Sequence, residues 1–80
     1  MHELKLVRSL LDDLIKRARE ENIDKITKLT IRMGEFTELN EEIVKFFIET
    51  NSKGTAAEGA KVIIEKSPAR ELRLVSFESA

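Results

Sequence analysis

Three residues at the start of the chain, Met1-His2-Glu3, bring together groups that could hold a metal ion. His2 is the only histidine among 80 residues. A free Met1 amine, the His2 backbone amide nitrogen and a His2 ring nitrogen can close adjacent small chelate rings around one ion. Such a nitrogen-rich set suits Ni(II) or Cu(II), which favour square-planar geometry and whose strong bonds to nitrogen help displace an amide proton. Zinc and magnesium do not favour that arrangement. The amine is available only if Met1 is retained, which the bulk of His2 favours. Glu3 can supply a carboxylate oxygen or hold a bound water, and its charge also suits the start of a helix. A polar tripeptide at a terminus is equally ordinary solvated chain, so these residues give a capacity and not an assignment.

Other constellations carry less. The chain has no cysteine, which excludes disulfides, thiolate metal sites and thiol nucleophiles and leaves nitrogen and oxygen as ligands. Ser9, Ser52, Ser67, Ser76 and Ser79 have no second histidine to serve as base, so a serine nucleophile is disfavoured. Lys53-Gly54-Thr55 and Glu58-Gly59-Ala60 lack the spacing of a phosphate-binding loop and read as a helix end and a connecting turn. Glu38, Glu41 and Glu42 could attract a hard cation but read better as a solvated helix start. No enzyme motif is present.

The elements that must position the terminal residues follow from periodicity. Leu4, Val7, Leu11, Leu14 and Ala18 alternate spacings of three and four, widened by Leu10 and Ile15, which predicts an amphipathic helix over 4–18. Asp12 with Lys16 and Asp13 with Arg17 are placed to support its outer face. Leu29, Ile31 and Met33 alternate with Lys28, Thr30 and Arg32, predicting a strand between Lys25 and Met33 that Gly34 ends. Asn40 caps a second helix, with Ile43, Phe46 and Phe47 as its expected buried face and a stop near Lys53-Gly54. Strand patterns over Lys61–Lys66 and Leu72–Phe77, joined through Ser67-Pro68-Ala69-Arg70, read as a hairpin. The resulting class is α+β: two helices on a small three-stranded sheet, in the order helix, strand, helix, strand, strand.

Composition bounds the rest. The length suits one domain over 1–80, with no repeat or linker. Fourteen Lys and Arg nearly balance 15 Asp and Glu, so no net field draws nucleic acid or an anionic membrane. No apolar run is long enough to span a bilayer and the first residues lack a signal-peptide pattern, so a cytoplasmic location is expected. An exposed sheet edge leaves a homodimer, or exchange of the terminal strand, open.

Several segments taken together resemble the HypA/HybF family of hydrogenase-maturation proteins. Met1-His2-Glu3-Leu4 looks like the family's metal motif. Arg32-Met33-Gly34-Glu35 resembles the turn after its first strand, and Lys53-Gly54-Thr55-Ala56-Ala57-Glu58-Gly59-Ala60 the stretch before its second. Pro68-Ala69-Arg70 is similar to the approach to its zinc module, and Arg70-Glu71-Leu72-Arg73-Leu74 to the returning strand. The departure is the zinc module itself. Family members insert two CxxC pairs between the second and third strands, and here that insertion is absent between about 67 and 71. A short natural relative or an excision would both give this junction, whose clean form leans towards excision.

The resemblance implies a metallochaperone and not an enzyme. His2 becomes the principal nickel ligand, with nearby main-chain nitrogens and Glu3 completing the set, and no zinc is expected. The implied partners are a nickel-handling maturation GTPase and the hydrogenase large-subunit precursor, with urease maturation proteins for some relatives. The alternative is a zinc-less interaction scaffold that docks maturation partners without delivering metal.

Overall fold

The computed structural model describes residues 3–80. Helix α1 (Leu4–Glu20) is followed by strand β1 (Ile26–Met33), helix α2 (Glu41–Asn51) and strands β2 (Lys61–Lys66) and β3 (Leu72–Ser79). The α+β class and the element order are those the periodicity gives.

Helix α1 buries Val7, Leu10, Leu11, Leu14 and Ala18, the stripe read from the sequence. Its C-terminus turns on Asn22 in the left-handed conformation, with φ 57. The Ile23 N–H donates to the Ala18 carbonyl and the Asn22 N–H to the Arg19 carbonyl, which satisfies carbonyls a helix end otherwise leaves open. The i,i+4 ion pairs on α1 are Arg8–Asp12 at 3.8 Å and Arg17–Glu21 at 3.7 Å, in place of the Asp12–Lys16 and Asp13–Arg17 pairs expected. Both are largely solvent-exposed, so competition among alternative partners costs little.

Helix α2 starts where Asn40 caps it, the side-chain oxygen accepting from the Ile43 N–H at 2.9 Å. It ends at Asn51, slightly before the expected stop, and Gly54 lies in the turns that follow with φ 81, where a Cβ would strain the backbone. Its fully buried residues are Val44 and Ile48. Ile43 and Phe47 flank them half-buried, but Phe46 is 69% exposed, which corrects the expected face. At about 100° per residue Phe46 lies far round the helix from Val44 and Ile48, so hydrophobicity alone misplaces it.

The sheet order is β2-β1-β3, with β1 in the centre. β1 pairs in parallel with β2, Leu29 opposite Val62 and Ile31 opposite Ile64, and α2 forms the crossover that a parallel pair requires. β1 pairs antiparallel with β3, Ile31 opposite Leu74. The expected β2–β3 hairpin does not form, because both strands flank β1 and the 67–71 connection passes across its end. The physical reason is that β1 is the most buried strand, with Ile26, Leu29, Ile31 and Met33 in the core against Val62 alone on β2 and no fully buried residue on β3, and it gains most from pairing on both sides. Register shifts between Ile26 and Lys28 and between Thr30 and Ile31 change the inward phase, so that Ile26 is buried with Leu29 on β1 and Phe77 packs inward after Leu74 on β3.

One core joins these faces, with Leu39, Ala57 and Val62 completing it. The other side of the sheet carries cross-strand ion pairs, Lys28–Glu78 at 2.8 Å and Arg32–Glu65 at 3.3 Å. Among the described residues no helix is long and apolar enough to cross a membrane.

Candidate metal centre

Of the three candidate ligands, Met1 and His2 lie outside the described residues. Glu3 is described, and its surroundings were not legible in the sequence. It precedes α1 with helical backbone angles, φ −70 and ψ −26, but its side chain makes no capping bond to the helix. The carboxylate points instead to the loop between β1 and α2. It accepts from the Glu38 N–H through Oε1 and from the Thr37 N–H through Oε2 at 3.3 Å, and Arg70 donates to Oε2 at 2.8 Å. In return the Glu3 N–H donates to the Glu38 carboxylate at 3.4 Å. Glu3 and Glu38 therefore hold each other reciprocally, in the manner of a capping box but between segments far apart in sequence.

Glu3 is 8% exposed. Burial alone would raise its pKa, but the hydrogen bonds from the Glu38 amide, Arg70 and the Thr37 amide outweigh it and hold the carboxyl below its ordinary value. The residue thus carries its charge into a pocket built of donors, which keeps a buried carboxylate from being an unpaired cost.

Arg70 reaches Glu3 because the 67–71 connection is pinned onto the end of β1. The Gly34 N–H donates to the Glu71 carbonyl at 2.8 Å, and the Ser67 N–H to the Met33 carbonyl at 3.0 Å. A Cβ on Gly34 would stand 1.6 Å from the Ala69 carbonyl oxygen, so only glycine admits this approach. The connection is also tied internally, Ser67 Oγ donating to the Glu71 carboxylate and Arg73 Nε to its other oxygen at 3.1 Å. The Ser67 hydroxyl, then Arg73, hold the Glu71 carboxyl below its ordinary value against a smaller opposing effect of burial. From this platform the Arg70 guanidinium lies 5.2 Å from the Phe36 ring centroid while it bonds Glu3.

The structure thus gathers the N-terminal segment, the β1–α2 loop and the β2–β3 connection at the end of the sheet where β1 finishes. Arg70 and Thr37 were not among the candidate site residues, and Glu38 was weighed only in the acidic cluster read as a helix start. The only local signals were Gly34 and a lone arginine in a turn, and neither says which carboxylate the arginine meets. The acidic cluster does not converge on an ion, since Glu38 faces the Glu3 amide while Glu41 and Glu42 occupy the first turn of α2. Among the described residues no group of three or more His, Asp or Glu side chains is disposed to hold a metal. A nitrogen-ligand site at the terminus would be tethered to the fold through Glu3.

The family model described as "Hydrogenase/urease nickel incorporation, metallochaperone, hypA" matches residues 1–72. A hydrogenase maturation factor HypA from Caldanaerobacter subterraneus subsp. tengcongensis is 37% identical over 65 residues, covering 81% of this chain and 57% of that protein. One from Methanopyrus kandleri is 40% identical over 65 residues, covering 81% and 46%. The chain therefore spans about half the length of these curated relatives. The solution structure of the Ni metallochaperone HypA from Helicobacter pylori has the same fold, with a TM-score of 0.74, 94% of each chain covered and 14% identity. With a match over most of its length, the chain belongs to the HypA family of hydrogenase/urease nickel-incorporation metallochaperones.

Proposed function

We propose that this chain is a single nickel-binding domain over 1–80 that takes up Ni(II) as cargo at Met1-His2-Glu3 and passes it on during nickel-iron hydrogenase maturation. The observation that carries this reading is the anchoring of Glu3. The residue that follows His2 is fixed to the fold by bonds from Thr37, Glu38 and Arg70, so a terminal chelate would stand on an ordered base. The Met1 amine, the His2 amide and the His2 ring supply nitrogen ligands suited to Ni(II). With no cysteine in the chain, zinc has no thiolate site and plays no part in this reading. No step of substrate turnover is required. Delivery involves a nickel-handling GTPase and the hydrogenase large-subunit precursor, with urease maturation as a second client route.

Nickel titration of untagged protein, followed by NMR of His2 and the first-turn amides, tests the site. About one nickel per chain is expected, lost in His2→Ala and on extension of the N-terminus, because both remove nitrogen ligands. Unchanged binding in both variants would overturn the terminal site. Partner binding that survives chelation and His2→Ala, with negligible nickel affinity in the parent protein, would favour a scaffold that docks partners without metal.

A further inference from the structure

We propose that Arg70 is a positioning residue for nickel uptake, acting through Glu3: it locks the Glu3 carboxylate against the Thr37–Glu38 backbone and so fixes Glu3, the residue on which a terminal chelate would stand. This inference rests on the terminal-site reading above.

The argument starts from what the Glu3 carboxylate already does. Its two oxygens accept from two backbone amides and one guanidinium, so it serves as a tether, and recruiting it to an ion would break bonds inside a nearly buried pocket. The amide donors belong to a loop and move with it. Arg70 is the side-chain donor, and it carries the positive charge that matches the carboxylate.

Arg70 is itself unusually constrained for a surface arginine. Its side chain is 67% exposed, and an isolated ion pair at such a position contributes little because its chain wanders. Here the Phe36 ring holds one side of the guanidinium and Glu3 accepts from it, while the backbone beneath is fixed by Gly34, Met33 and Glu71. The rotamer freedom normally lost in forming the pair is already restricted. Arg70 thus closes a three-way junction of the N-terminal segment, the β1–α2 loop and the β2–β3 connection.

The consequence for metal uptake is one of preorganisation. A chelate formed by consecutive residues requires the intervening backbone to adopt one geometry, and apparent affinity falls in proportion to the fraction of molecules that hold it. Freeing Glu3 lowers that fraction without touching a ligand atom.

Untagged protein is compared with Arg70→Ala, Arg70→Lys and Arg17→Ala by amide hydrogen exchange without metal, nickel titration, the nickel absorption spectrum and thermal unfolding. Arg17, paired with Glu21 at 3.7 Å at the opposite end of α1 from Glu3, controls for simple loss of a surface charge. In Arg70→Ala the Thr37 and Glu38 amides should exchange about tenfold faster, while the central amides of β1 stay protected. Nickel binding should weaken about tenfold with an unchanged absorption spectrum at saturation, because the ligands are the same. Arg70→Lys should recover most of both effects, and Arg17→Ala should show neither.

Parent-like affinity in Arg70→Ala, or an equal loss in Arg17→Ala, would overturn the proposal. So would a changed nickel spectrum, which would place Arg70 or Glu3 within the ligand shell's own chemistry. If the parent protein takes up no nickel, the terminal-site reading fails and the role of Arg70 in uptake fails with it, while the exchange data still decide whether Arg70 holds Glu3. Accelerated exchange with unaltered nickel affinity would leave Arg70 as a structural contact alone and overturn its role in uptake.

Discussion

Glu3 shows how a residue's neighbours decide between chemical roles that its type leaves open. As a carboxylate beside His2 it could have been a ligand, a water holder or a helix-start charge. Hydrogen bonds from Thr37, Glu38 and Arg70 make it an anchor. Acid stability follows from the same bonds and from those at Glu71. Both carboxyls titrate below their ordinary value when folded. Each therefore contributes stability that is complete above the unfolded carboxylate pKa of about 4.3 and is lost as pH falls through the lower folded value. Urea midpoints measured from pH 7 down to 3 should show that loss in the parent protein, and Glu71→Gln should flatten it. A Glu71→Gln curve parallel to the parent's would show that the Ser67 and Arg73 bonds carry no such linkage. Gly34→Ala should destabilise by about 3 kcal/mol or more, since the new Cβ meets a backbone carbonyl that side-chain rotation cannot move aside. Wild-type stability in that variant would mean the 67–71 connection does not lie on Gly34.

Among the elements, α1 and α2 differ in how well pattern reports burial. The stripe on α1 is long enough for a few apolar positions to define one face, and all of its buried residues fall there. On α2 the short run Glu41–Asn51 contains five apolar residues, and only the mutual phase of Val44 and Ile48 identifies the inward side. Ile48→Ala should therefore cost about 2 to 5 kcal/mol and Phe46→Ser less than about 0.5, compared by denaturant unfolding. The reverse order would return Phe46 to the core. Asn40→Ala should cost about 1 kcal/mol through loss of the cap to Ile43, a contribution readable from the sequence because capping is local.

At the scale of the whole molecule, stability concentrates on β1, which is paired on both edges, while β2 and β3 each have one unpaired edge within the sheet. Native-state hydrogen exchange should find the slowest amides at Leu29 and Ile31 and faster exchange towards Ser79 at the end of β3; uniform protection across the three strands would contradict a β1-centred core. The same topology brings the 67–71 connection across the end of β1 and so places Arg70 beside Glu3. The α+β class, the element order, the α1 stripe, the Asn40 cap and the nitrogen-ligand capacity of Met1-His2-Glu3 are all legible in the residues alone. These rest on periodicity, local hydrogen bonding and covalent proximity, which act within a few residues. That β2 and β3 flank β1 instead of pairing, that Phe46 faces solvent, and that Glu3 is bound by Thr37, Glu38 and Arg70 emerges from the folded arrangement. Those outcomes depend on which apolar surface gains most from burial on two sides and on contacts between residues 3 and 70, whose meeting no local pattern encodes.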